Sequence, residues 1–136
     1  MTARIKGAAE MVRGMSPRLL PGTFAFRTVD DPAGLDRLLP VARGMFREAE
    51  GISLIVPAEP GEPLQMRQIT LEVHSALDGH GLTAAVSTAL AAQGIACNMV
   101  AAHHHDHLFV PAERAEEALD LLRALARATP SSNTME

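Results

Sequence analysis

The chain has 136 residues, 47% of them hydrophobic, enough for one compact domain or two very small ones sharing a core. A formal charge of −4 disfavours non-specific attraction to nucleic acid or anionic membrane, and four Phe with no Trp or Tyr leave no platform on which bases could stack. One cysteine rules out an internal disulfide, and no amino-terminal apolar run is long enough for a signal peptide or a membrane span, so the default expectation is a cytoplasmic protein.

In chain order, a short helix is predicted over residues 3–14, stopped by Ser16-Pro17, and Pro21-Gly22 turns the chain into a strand over 24–29. Asp30-Asp31-Pro32 then opens a helix whose apolar positions Leu35, Leu38, Leu39 and Phe46 run on to Gly51, with Pro40 expected to kink or interrupt it. A strand follows over 52–56. Residues 58–63, Ala-Glu-Pro-Gly-Glu-Pro, are too rich in Pro and Gly for a sheet and read as a linker.

The second half repeats this plan more clearly. Residues 69–74 alternate as a strand; Leu82, Val86 and Leu90 give a helix over 81–93, closed by Gly94; residues 95–100 alternate again. A hairpin and a last helix from Pro111 follow, with Ala115, Ala118, Leu119, Leu122 and Leu125 as its apolar stripe. Strand, helix and hairpin joined by short loops make a ferredoxin-like α+β sheet. The expected organisation is an N-terminal half over 1–62 including the leading helix, a C-terminal half over 63–129, and a disordered tail over 130–136. Two strands alone would leave the first half with unpaired edges, so the halves are expected to pair internally or with a second copy as a homodimer.

Two segments could carry chemistry. At the turn 75–81 into the helix at Leu82-Thr83, glycines and free backbone amides suit a small carboxylate or phosphate, with Asn98 in the adjoining strand as a further hydrogen-bonding group. The plain alternative is that these glycines only permit a tight turn. In His103-His104-His105-Asp106-His107, an extended backbone would put His103, His105 and His107 on one face, a donor set suited to zinc, nickel or copper, whereas a hairpin turn there would break the alternation. Cys97, between Ile95 and Met99 and with no activating base in view, reads as a buried structural thiol. His105-Asp106 and Asp78-His80 could do acid-base work, but neighbours in one strand point opposite ways, and no phosphate loop, nucleophile elbow or zincin helix is present. An enzyme is therefore not expected.

On the motifs Leu20-Pro21-Gly22-Thr23-Phe24, Glu50-Gly51-Ile52-Ser53, Ile69-Thr70-Leu71-Glu72-Val73-His74-Ser75, Gly81-Leu82-Thr83, Gly94-Ile95-Ala96-Cys97-Asn98 and His105-Asp106-His107-Leu108-Phe109-Val110-Pro111, the chain resembles small bacterial proteins carrying tandem ACT domains. The resemblance implies a βαββαβ-type fold used as a regulatory module for small ligands, most often amino acids. It also implies that the ligand lies between paired domains near the first strand-to-helix turn. Carried over by residue, the binding positions are Ser75, Gly81, Leu82 and Thr83 at the turn and Asn98, Met99 and Val100 in the strand. His103 and His104 stand where the family pattern favours aromatics, which weakens a shared metal role. No cofactor is expected. The alternatives are a metal-binding protein using His103, His105 and His107, and a dimerisation module without ligand.

Overall fold

The computed structural model describes residues 7–73 and 79–130. The chain divides into two units, one of residues 22–66 and one that joins residues 1–21 to 67–136. The elements in order are α1 (Ala8–Gly14), β1 (Pro17–Leu19), β2 (Phe24–Val29), α2 (Pro32–Leu38), β3 (Gly44–Glu48), β4 (Gly51–Pro57), β5 (Met66–Leu71), α3 (Leu82–Ala91), β6 (Asn98–Ala101), β7 (Asp106–Pro111) and α4 (Ala115–Ala128).

In the smaller unit β4 is the central strand, antiparallel to β2 on one side and β3 on the other. Leu54 and Val56 are fully buried with Val29, and Leu35, Leu38 and Ile52 pack on them, so α2 covers one face of this sheet. The long helix expected through Phe46 is corrected here. It stops at Leu38, passes through a 3-10 turn over Leu39–Val41, and residues 44–48 form β3. Proline at position 40 cannot donate to the helix ladder, and Gly44 is a poor helix former, so the chain straightens into an edge strand instead. Apolar residues 45 and 46 mimicked a helical stripe, yet Phe46 is 71% exposed.

The larger unit has the strand order β1-β5-β7-β6, with β1 antiparallel to β5 and β6 antiparallel to β7. Here β5-α3-β6-β7-α4 supplies the first five elements of a βαββαβ fold. The strand that should close it after α4 comes instead from the amino-terminal leader, as β1, with Leu19 opposite Ile69 and Pro17 opposite Leu71. Met11, Val12 and Met15 join Ile69, Leu71, Leu108 and Val110 from the sheet, and Leu82, Val86, Leu90, Leu119 and Leu122 from α3 and α4, in one core. The leader therefore packs in the C-terminal unit, not with the half that follows it in sequence. Its apolar side chains and the open edge of β5 satisfy each other there.

Element ends also shifted. The strand expected over 95–100 begins at Asn98, because Ile95 drops its side chain into the core at 3% exposure while the backbone is still irregular. Both faces of β5 are buried, so Thr70 does not face water as the alternation suggested, and Gln68 is buried as well.

Met11→Ala should lower unfolding stability by about 2–5 kcal/mol in urea denaturation, the usual cost of emptying a core methionine site. The exposed neighbour Glu10→Ala should change it by about 0.5 kcal/mol or less. Equal and small effects would mean that the leader is dispensable.

Candidate functional site

Helix α3 starts at a glycine in the left-handed region, Gly81 with φ 104°, which has no side chain to cap the first turn, and no side chain of the described residues caps it. The first intrahelical bond into this end runs from the Ala85 N–H to the Gly81 carbonyl at 2.9 Å, so helix geometry directs the amides of Leu82, Thr83 and Ala84 outward. That end carries about half a positive charge, the right sign for a carboxylate. Leu82 is 3% exposed and belongs to the core, so it could offer only its amide; Thr83 is exposed and could offer its hydroxyl as well. Ser75 lies outside the described residues.

The glycine has a role that sequence did not reveal. A Cβ added at Gly81 would sit 2.3 Å from the Ala8 Cβ and 3.3 Å from its Cα. Room expected for a ligand beside this glycine is taken by α1, and what stays open is the amide edge of the turn.

The strand residues are divided between the two faces of the sheet. Met99 pairs with Leu108 and packs on the core, whereas Asn98 pairs with Phe109 and Val100 with His107, on the face away from the helices. Asn98 Nδ2 donates to the Phe109 carbonyl at 3.3 Å. Strand β7 lies between β6 and β5, so Asn98 and the strand leading to the α3 turn are not neighbours within this unit. Strand β6 ends the order and leaves an edge available to a second module.

The corresponding turn of the smaller unit is built differently. Asp31 caps α2 by accepting from the Gly34 N–H at 2.9 Å, and the adjoining pocket of about 450 Å³ is lined by Asp30, Asp31, Glu48 and Glu50 with Arg47. Its amide is already satisfied, and the surrounding carboxylates would repel an anion. Of these two helix starts, the one at α3 is the less hostile to an anion.

The histidine run contains the hairpin turn, as one of the two sequence alternatives required. Ala101 pairs with Asp106, and the Ala102 N–H donates to the His105 carbonyl at 3.1 Å, so residues 102–105 form the loop. His103 and His104 are exposed, with their rings edge-on at 5.0 Å. His107 points across the sheet to β5: its Nδ1 lies 3.0 Å from Thr70 Oγ1 and 3.3 Å from Gln68 Nε2, and Gln68 Nε2 donates to Thr70 Oγ1 at 3.0 Å. Gln68 Oε1 is buried without a hydrogen-bond partner among the described residues. This network holds His107 away from the loop tip, and among the described residues no group of three His, Cys, Asp or Glu side chains could hold a metal ion. Neither Gln68 nor Thr70 was expected at a site: Gln68 lies just before the strand expected over 69–74, and alternation put Thr70 on that strand's polar face. Cys97 is half-buried against the core, and burial pushes its thiol above its ordinary pKa.

Family models described as ACT domain match residues 5–70 and 64–124. A protein of unknown function from Vibrio cholerae is 36% identical over 85% of this chain and 92% of that one, with a TM-score of 0.73. A protein from Agrobacterium tumefaciens is 20% identical over 82% of this chain and 89% of that one, with a TM-score of 0.58. The regulatory subunit of aspartate kinase from Thermus flavus is 15% identical, over 82% of this chain and 96% of that one, with a TM-score of 0.55; these last two likenesses show the fold alone. No curated protein matches the chain. The fold and the matches define the class: a ferredoxin-like α+β protein of regulatory, ligand-binding modules. The chain belongs to the ACT-domain family, with two such domains in tandem. Among the described residues no helix is long and apolar enough to cross a membrane.

Two outcomes follow from this geometry. Gly81→Ala should destabilise the protein by about 1–3 kcal/mol through strain at a left-handed position and the added clash. Ala8→Gly in the same chain should recover part of that loss, which a double-mutant cycle in urea would read as coupling. Because the raised thiol pKa lowers the thiolate fraction at pH 8, Cys97 should react with iodoacetamide more slowly than free cysteine, and urea should abolish the difference. Equal rates in folded protein would contradict the burial of this residue.

Proposed function

We propose that the protein is a cytoplasmic regulatory module that binds an amino acid or a similar small carboxylate at the start of α3, between this domain and a paired one. The observation that carries the reading is the α3 turn: a left-handed glycine, first-turn amides that no side chain of the described residues caps, and the exposed Thr83, in a chain of the ACT family. The ligand carboxylate would accept from the amides of Leu82 and Thr83, with Ser75 and Gly81 shaping the turn. Asn98 and Val100, on the outer face of edge strand β6, would be offered to the ligand of a neighbouring domain, and Met99 would fix that strand through the core. Pairing of two chains as a homodimer would place such a strand beside such a turn.

The mechanism is a population shift. A ligand held between two domains stabilises the packing that forms the complete site, and a partner protein reads the difference. No bond is made or broken.

Thermal unfolding against a panel of single amino acids tests this directly. A ligand at one hundred times its dissociation constant adds about 2.7 kcal/mol and raises Tm by several degrees. Thr83→Glu keeps a residue that favours a helix start but sets a negative charge where the carboxylate would lie, so it should leave the unliganded Tm near that of the parent and remove the response. A response that survives Thr83→Glu would move the site elsewhere, and no response to any amino acid would leave dimerisation alone as the role. Stabilisation by zinc or nickel that chelator reverses would instead favour the histidine run.

A further inference from the structure

Three arginines of the C-terminal unit meet in one place. Arg13, in the last turn of α1, and Arg123 and Arg127, one turn apart on α4, line an open groove of about 600 Å³. Ser16 and Thr129 add hydroxyls, while Met15 and Pro17 form an apolar wall. No carboxylate of the described residues lines it.

The other described arginines of the unit are matched: Arg18 with Glu72 at 3.4 Å, Arg67 with Glu116 at 3.9 Å, Arg114 with Glu117 at 2.7 Å. The three in the groove are exposed and make no ion pair with any described residue. In a chain of formal charge −4 this is a concentrated patch of opposite sign.

The ordinary duty of such residues is to offset helix dipoles, since α1 and α4 both end at the groove. Each helix end carries about half a negative charge, so the two ends account for roughly one of the three positive charges. About two remain unopposed. A monocarboxylate would neutralise one of them and occupy one guanidinium. A phosphoryl group carries about −1.5 to −2 at neutral pH and presents three strong acceptor oxygens, which matches both the surplus and the number of planar donors. The volume lies in the range of small-ligand pockets and leaves space for an organic body against Met15 and Pro17.

We propose that this groove binds the phosphoryl group of a small phosphorylated metabolite, at a site separate from the α3 turn. The proposal does not depend on amino-acid binding there. Inorganic pyrophosphate and adenosine 5′-monophosphate serve as probes, titrated calorimetrically into the full-length protein at low and at moderate salt, with glutamate as the carboxylate control. The expected result is saturable binding of one equivalent per chain for both phosphates, weaker at the higher salt and much weaker for glutamate. Arg123→Glu with Arg127→Glu should reduce the affinity by about tenfold or more. Arg13→Gln should weaken it too, and Thr83→Glu should leave it unchanged. Circular dichroism of each variant checks the fold, and Arg123→Gln stands in if the double reversal does not fold. Absence of saturable phosphate binding, or binding indifferent to these arginines, would overturn the proposal. Tight binding of a single-stranded oligonucleotide, with neither small phosphate bound, would overturn it in favour of a nucleic-acid partner.

Discussion

The larger unit depends on one layer of contacts: Ile69 and Leu71 of β5 and Leu108 and Val110 of β7, all fully buried, covered by side chains from α1, α3 and α4. Two helices supplied by the C-terminal segment cover this face of the sheet only in part. The leader adds a third, through Met11, Val12 and Met15, and a strand on the edge of β5. Removing water from that much apolar surface is the dominant favourable term in such a small unit, so an element distant in sequence is recruited to complete it.

Gly81 is where this packing meets the proposed site. Its missing side chain lets Ala8 close on the turn, and its left-handed φ sets the direction in which α3 leaves it. The amide edge offered to a ligand is thus held between the core, through Leu82, and the leader, through Ala8. The same short helix that touches this turn near its start reaches the arginine groove with its last turn. One element therefore touches both places at which anions would be favoured.

The other face of the sheet answers to a different constraint. Gln68 and Thr70 are withdrawn from water and bond to each other and to the half-buried His107, since an unsatisfied buried group costs about 1–3 kcal/mol. That satisfaction orients the imidazole toward β5. A run of histidines that looks like one donor set in sequence is divided into exposed His103 and His104, a half-buried His105, and a strand residue committed elsewhere.

Local pattern made much of the fold legible. Leu82, Val86 and Leu90 placed α3, Ala115 to Leu122 placed α4, and the alternation after Phe24 and before His74 placed two strands, because side-chain periods of 3.6 and 2 are properties of the backbone itself. The motifs running from Ile69 to Pro111 pointed to the ACT family, and Gly81-Leu82-Thr83 marked a glycine turn into a helix. What local pattern could not express was which distant segments share a space. Phe46 carries the same apolar signal on an edge strand as on a helix, and Thr70 alternates as though solvated. Arg13 shows no sign of meeting Arg123, and nothing in the leader says which unit it will join. Those outcomes rest on non-local burial, on which open edge and which exposed apolar face find one another, and only the folded chain decides that.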